Sequence, residues 1–282
     1  LNKALLRSGA PISAMNTIRK HVSTIKGGRL AQAAYPARVV SLIVSDIPGD
    51  NAAYVASGPT VPDVSSPDDA LADIKRYRIE LPEKVLKHIR SGQAGAPRPS
   101  DPSLSRNMHH IIASAAVSLE AAASEAEKAG ISAAILSDSI EGEARDAGRI
   151  HAAIAREILY RDRPFSKPVL LLSGGETTVT LRGAAGKGGR NGEFALSLAL
   201  AINGLAGVHA LAADTDGIDG TEANAGAFAD GSSVTRIRAA GIDPRGALDG
   251  NDSYSAFAAA GDLFVTGPTG TNVNDFRAIL VA

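Results

Sequence analysis

The sequence predicts an α/β protein built as two α/β domains, and three observations predict it. Short apolar runs rich in Val, Leu and Ile alternate with longer Ala-rich stretches, the strand-then-helix rhythm of this class. Four strand ends carry clusters of Asp, Glu, Ser, Thr or Gly, near Asp46, Glu176, Asp214 and Thr269, and open α/β sheets keep their ligands at strand C-termini. Finally, the 282 residues are 44% hydrophobic but only 4% aromatic, with no Trp. Such a core is packed by Ala, Val, Leu and Ile, and the length suits two domains.

Composition excludes several classes of function. The net charge of −1 gives no basic surface for nucleic acid and no membrane patch. Without Cys there is no disulfide, no thiolate catalysis and no Cys-ligated metal. No apolar run approaches the roughly 20 residues of a membrane span, and no signal peptide is visible. Together these predict a cytoplasmic protein. The chain opens Leu1-Asn2-Lys3-Ala4-Leu5-Leu6-Arg7, without Met and like the interior of a helix, as expected of a fragment lacking an upstream part.

Taken in order, Leu1 to Arg7 reads as helix and Ile12 to His21 as a second, with Pro11 suiting its first turn. Lys26-Gly27-Gly28-Arg29 precedes the apolar Leu30 to Ala34, so Lys-Gly-Gly-Arg stands at a helix start. Arg38 to Val44 is the clearest strand, β-branched and apolar as buried parallel strands are. It ends in Ser45-Asp46-Ile47-Pro48-Gly49-Asp50. Helices are predicted at Asp68 to Tyr77 and Pro82 to Arg90, then a Gly/Pro/Ser-rich connection over Ser91 to Ser105. A long Ala-rich helix is expected from Arg106 to Lys128, a short strand at Ile131 to Leu136, and a helix at Glu143 to Tyr160. His109, His110 and His151 have no ligand-like spacing and read as structural residues on helices. The charged, Pro-flanked stretch Arg161 to Lys167 marks the expected boundary, giving domains 1–165 and 166–282.

The centre of the chain is Leu170 to Ala201. Leu170-Leu171-Leu172 reads as a buried strand opening into Ser173-Gly174-Gly175-Glu176, with Thr178 to Arg182 as a second strand. Lys187-Gly188-Gly189-Arg190-Asn191 then sets two cations and two glycines before a helix from Gly192 to Ala201. Amides at a helix start with Lys and Arg suit a phosphate or carboxylate, although a solvated turn uses the same glycines. Val208 to Ala213 is a strand ending in Asp214-Thr215-Asp216-Gly217-Ile218-Asp219-Gly220. Three carboxylates in six residues suit Mg²⁺, or serve in part as helix caps. Thr221 to Phe228, Ser233 to Ala240 and Asn251 to Ala260 read as helices, Asp262 to Thr266 as a strand, and Phe276 to Val281 as an edge strand.

The Walker pattern fails, because Gly186-Lys187 is followed by Gly188. No Gly-x-Gly-x-x-Gly follows a strand, no Gly-x-Ser-x-Gly surrounds Ser173, and there is no His-Glu-x-x-His. Cations and glycines near helix starts, acids for a metal and no visible nucleophile suit phosphoryl transfer, which needs mainly positioning and charge stabilisation.

Longer motifs carry a resemblance. Ser173 to Thr180, Gly188-Gly189-Arg190-Asn191, Asp214 to Gly220, Asn251-Asp252-Ser253-Tyr254 and Thr266 to Val273 together resemble the MOFRL family of glycerate 2-kinases. Met15 to His21 with Lys26-Gly27-Gly28-Arg29, and Ser45 to Asp50 with Ser57-Gly58-Pro59-Thr60, look like the same family's N-terminal domain. The resemblance implies a first domain that is Rossmann-like and a smaller MOFRL domain with a mixed sheet. It implies ATP- and Mg²⁺-dependent phosphorylation of D-glycerate to 2-phosphoglycerate in a cleft between them. The partners are then a small-molecule substrate and a nucleotide, and a homodimer is compatible with it. Relatives also carry a hydroxypyruvate reductase label, so an NAD(P)H-dependent reductase and a catalytically incomplete glycerate- or nucleotide-binding fragment are the alternatives. The family's upstream Gly-Lys motif, whose Lys is taken as catalytic, and its Ser-Gly-Gly-Gly-Ser loop are absent here. Gly192 stands where relatives carry a larger residue.

Carried onto this sequence, the resemblance makes Arg190 the cation facing the transferred phosphoryl group, assisted by Lys187, with Asp46 as the base. Ser173, Gly174, Gly175 and Glu176 form the pocket floor. Asn191, Glu193, Thr269 and Asn272 complete the binding set, and Lys26 and Arg29 line the other wall. Asp214, Asp216 and Asp219 are the Mg²⁺ candidates.

Overall fold

The computed structural model describes residues 1–181, 183 and 186–282, apart from the Pro48 side chain. Two compact units are present, Leu1–Ile112 and Ala113–Ala282.

The first unit runs α1 (Asn2–Arg7), α2 (Ile12–Lys20), α3 (Arg29–Ala34), β1 (Val40–Val44), α4 (Pro67–Arg76), α5 (Glu83–Arg90) and β2 (Met108–Ala113). Its core is helical: Leu5, Ala14, Met15 and Ile18 pack with Ala70, Ile74 and Ile89, at the three- and four-residue spacings of amphipathic helices. A capping box starts α4, with Ser66 and Asp69 exchanging side-chain and backbone hydrogen bonds and Pro67 at the first position. The strands β1 and β2 form a two-stranded sheet. The Met108 N–H donates to the Val39 carbonyl at 2.9 Å, so both strands start from one end and run parallel. The expected burial of this strand is not met: Val40, Leu42 and Val44 are exposed, because two strands do not make a face that can close a core.

The second unit runs α6 (Ala115–Lys128), β3 (Ser132–Glu143), α7 (Ala144–Arg161), β4 (Val169–Thr178), α8 (Arg190–Ala201), β5 (Val208–Asp214), β6 (Gly226–Asp230), α9 (Ser233–Ala239), α10 (Pro244–Asp249), α11 (Ser253–Ala260), β7 (Leu263–Phe264) and β8 (Asp275–Val281). Its sheet has the order β3-β4-β8-β5-β6-β7. The β3–β4 pair is parallel and the other pairs are antiparallel, which makes the sheet mixed, as the resemblance implied. Successive residues of β4 face opposite layers. The Ser173 hydroxyl bonds to His151 of α7, whereas a Cβ on Gly174 would meet Ala115 and Leu119 of α6. Helices therefore cover both faces. The core on the α7/α8 side gathers Ala155, Leu171, Phe194, Leu198, Val208 and Ile279.

Several expectations are corrected. The predicted helix from Arg106 begins as β2, carrying His109 and His110; Ser114 then caps α6, its Oγ accepting the Val117 N–H at 3.3 Å. Stiff Ile111 and Ile112 favour the strand. The helix expected over Thr221 to Phe228 is a turn followed by β6, and a Cβ at Gly226 would fall 1.9 Å from the Ala212 carbonyl oxygen of β5. The supposed edge strand β8 is central, paired on both sides by β4 and β5. The strand expected to stop at Leu172 continues to Thr178, because β8 pairs through Ser173, Gly174 and Gly175. Residues 179–181 form no strand, and Arg182, the end of the predicted second strand, lies outside the described residues, as do Ala184 and Ala185 of the glycine loop. The two compact units divide between Ile112 and Ala113; within the second, β3 pairs with β4 and α7 packs on α8.

Candidate active site

Two strand ends and one helix start build the site. Asp214 ends β5 and Asp275 begins β8, and the two are directly paired in the antiparallel register. Like charges directly opposite repel. Arg190, the first residue of α8, resolves the conflict. Its Nη2 lies 2.6 Å from Asp214 Oδ2, its Nε 2.6 Å from Asp275 Oδ1, and its Nη1 3.2 Å from Glu176 Oε1. Burial alone would lower the guanidinium pKa, but the three carboxylates outweigh it and raise it. For Asp214 the balance falls the other way, and burial raises its pKa in spite of Arg190.

Below this pair the charges are sealed. Asp275 Oδ2 accepts the Thr177 N–H at 3.0 Å and the Thr177 hydroxyl at 2.9 Å, and also a hydrogen bond from Arg277 Nη2. Asn191 Nδ2 donates to Asp275 Oδ1 at 2.9 Å. Arg277 is fully buried, its guanidinium 4.9 Å from the Phe194 ring centroid. Asp275, Arg277 and Thr177 were absent from the sequence-derived site. An acid and a base two residues apart in an otherwise apolar strand was the available signal, but such charges are ordinary on an edge strand.

The start of α8 is already occupied. Asp219 is buried and accepts the Asn191 N–H at 2.9 Å and the Gly192 N–H at 2.7 Å, so these amides are not the open anion cradle that the sequence suggested. Gly189 is required there, since a Cβ would stand 2.3 Å from Asp219 Oδ1. At Gly192 a Cβ would stand 2.6 Å from the Ser253 hydroxyl, which fills the space a larger residue would take. Desolvation, ahead of the repulsion from Asp275 and Asp214, pushes the Asp219 pKa up to about 6 in spite of the two amide donors.

The aspartates expected to share a metal are therefore divided. Asp219 is turned under α8, and Asp214 Oδ2 is on Arg190. Asp216 is half-buried, its Oδ1 accepting the Ile218 N–H at 2.8 Å. Among the described residues no three carboxylates or imidazoles form a cation-binding group. Asp214 and Glu176 nevertheless leave hard oxygen donors around Arg190, the Asp216 N–H reaches Asp214 Oδ1 at 3.4 Å, and Mg²⁺ bound beside phosphates needs only one or two carboxylates.

The remaining candidates take several places. Thr269 Oγ1 donates to the Thr215 carbonyl at 2.5 Å and its N–H to the Asp216 carbonyl at 3.0 Å, tying its loop to the aspartate loop. Asn272 is exposed and accepts the Asn274 N–H at 3.0 Å. Ser173 is buried on His151. Gly175 permits close strand contact, since a Cβ would lie 2.3 Å from the Ile140 backbone. Glu193 is buried in an ion pair, its Oε1 on Arg145 Nε at 2.7 Å and its Oε2 accepting from Asn251 at 2.8 Å. The exposed Lys187 has Nζ 3.9 Å from Glu222. In the first unit, Arg29 spends its guanidinium on the Lys20 and Ala94 carbonyls at 2.7 and 2.6 Å, and Lys26 Nζ donates to the Ala56 carbonyl at 2.9 Å. Asp46 is exposed beyond β1.

The MOFRL family model matches residues 169–275, which contain Arg190 and its three carboxylates, Glu176, Asp214 and Asp275. A second model, the domain of unknown function DUF4147, matches residues 1–90. A protein of Agrobacterium vitis, bearing a provisional hydroxypyruvate reductase label, is 50% identical over the whole chain, which covers 72% of it. The chain belongs to the MOFRL family. D-glycerate 2-kinase of Thermotoga maritima is 45% identical to this MOFRL protein over 98% of the chain and 64% of the relative. Glycerate 2-kinase of Pyrococcus horikoshii is 44% identical over 98% of the chain and 63% of the relative. The chain thus spans somewhat under two thirds of the length of these two relatives. The crystal structure of the Thermotoga maritima glycerate kinase superimposes with a TM-score of 0.91, covering 99% of this chain and 66% of that one at 44% identity.

Proposed function

We propose that the protein is a glycerate 2-kinase, transferring a phosphoryl group from ATP to the 2-hydroxyl of D-glycerate. The observation that carries this reading is the Arg190 guanidinium, held from below through Nε by buried Asp275, with Nη1 and Nη2 on the more open Glu176 and Asp214. Arg binds two oxygens of one phosphoryl group at once, and charge stabilisation of this kind supplies most of phosphoryl-transfer catalysis. Glu176 and Asp214 occupy the positions that phosphoryl oxygens would take. Mg²⁺ would be held by Asp214 and Asp216, and it supplies charge neutralisation to the nucleotide phosphates. Asp219 holds the α8 start, and with it the Arg190 backbone, in place. Asp46 as the base, Lys187 as an assisting cation, and a family domain boundary at residue 165 belong to the same proposal. The names of the Thermotoga and Pyrococcus relatives support the kinase reading, and the lack of a dinucleotide glycine fingerprint speaks against the reductase label.

The test is turnover of D-glycerate with Mg-ATP, on this chain and on a version lengthened at its N-terminus, with the product's phosphate position read by NMR. Arg190→Ala is expected to lower turnover by about a hundredfold or more, the scale of one lost transition-state donor. A loss of less than about threefold removes Arg190 from the mechanism.

A further inference from the structure

We infer that Asp275 and Arg277 are positioning residues that aim Arg190 from inside the sheet; this rests on the role given to Arg190 above. Of the three carboxylates on Arg190, Asp275 alone has a fully buried side chain, at 0% exposure against 8% for Asp214 and 53% for Glu176. An incoming phosphoryl group can replace the exposed Glu176 carboxylate. It cannot reach the inner one. With Nε anchored, the planar guanidinium keeps both terminal nitrogens in one fixed fork.

Asp275 is itself held. Five donors converge on its two oxygens: Arg190 Nε and Asn191 Nδ2 on Oδ1, and the Thr177 N–H, the Thr177 hydroxyl and Arg277 Nη2 on Oδ2. Arg277 lies two residues along β8, so it shares the face of Asp275. It reaches the Gly174 carbonyl at 3.4 Å and the Thr177 hydroxyl at 3.0 Å. Its Nε is buried with no partner among the described residues, which is a poor arrangement for stability alone. An apolar pair would fill the same space at little or no cost, but it could not hold Arg190 by Nε. The charge matters too: Asp214, Asp275 and Glu176 all face Arg190, and Arg277 offsets the innermost of them.

The test is the double variant Asp275→Asn with Arg277→Met, which removes both buried charges together and avoids an unpaired one. Two readouts are taken. The first is the ¹⁵N-resolved Nε–H signal of Arg190, identified by its loss in Arg190→Lys and expected to be slow-exchanging in the wild type. In the double variant it shifts and loses its protection. The second is steady-state kinetics with D-glycerate and Mg-ATP, on this chain and on a version lengthened at its N-terminus, where kcat falls about a hundredfold while KM changes by less than about threefold. Thr177→Val, which removes a donor to Asp275 without touching a charge, serves if the double variant does not fold, with kcat expected to fall about tenfold and the same signal to move. An Arg190 Nε–H signal that keeps its position and protection overturns the inference, as does a kcat within about threefold of wild type in the double variant. A wild type that never phosphorylates glycerate defeats the kinase reading instead, and the Nε–H signal still decides the positioning.

Discussion

His151 is expected to make the second unit sensitive to mild acid. Its imidazole is buried, with Nδ1–H donating to the Ala147 carbonyl at 2.8 Å. That leaves Nε2 as the acceptor of the Ser173 hydroxyl at 2.9 Å. The Phe194 ring stands edge-on with centroids 5.0 Å apart. Desolvation, with a contribution from the Arg277 charge, lowers the pKa from 6.5 to about 4. The folded chain therefore stays neutral at His151 while the unfolded chain takes up a proton. Stability from this group is complete above pH 6.5, declines as the pH falls, and levels off below about pH 4. At about 1.4 kcal/mol for each pH unit in that window, the loss totals about 3 kcal/mol. The assay is urea unfolding from pH 7 to about pH 4.5 for the wild type and for His151→Phe. The variant leaves the Ser173 hydroxyl without its acceptor, a cost of about 1–3 kcal/mol that does not depend on pH. Subtracting the two profiles isolates the histidine, and the difference should shrink as the pH falls. A difference flat to within about 0.5 kcal/mol across the range refutes the reasoning.

Gly189→Ala should lower stability by about 1–3 kcal/mol in urea unfolding, because the new methyl meets Asp219 at 2.3 Å and drives it from the amides of α8; an unchanged midpoint would mean that Asp219 is not needed there. Glu193→Ala should cost about 3–5 kcal/mol by the same measurement, since it leaves the Arg145 charge buried without its main partner. Lys187→Ala should change stability by less than about 0.5 kcal/mol, its side chain being 64% exposed. Its effect on glycerate phosphorylation therefore reads directly on the chemistry, and an unaltered kcat and KM would assign it to the solvated surface.

Legibility followed the range of the interactions involved. Helices α2, α4, α5, α7 and α8 were readable because caps, prolines and apolar spacing act within a few residues. The family motifs were readable because they place Arg190 beside Gly189 and Asn191, and Asp214 beside Asp216, along the chain. β2 was not readable, because Met108 to Ala113 adjoins a strong Ala-rich helix and only pairing with the β1 strand reveals it.

By itself the sequence determined an Ala/Val/Leu/Ile-packed α/β chain and the family it belongs to, and it singled out Arg190 as the leading candidate cation. Only the tertiary structure decided what each charge does. It placed β8 at the centre of the sheet, which buried Asp275 and Arg277 under Arg190. It also set Asp219 on the amides at the start of α8, Arg29 on the Ala94 carbonyl and Glu193 on Arg145. The reason is physical. A carboxylate or guanidinium in a sequence is only a charge, and whether it meets solvent, a ligand or a buried partner depends on strand order and register, set by contacts between residues 84 and 103 positions apart in the chain.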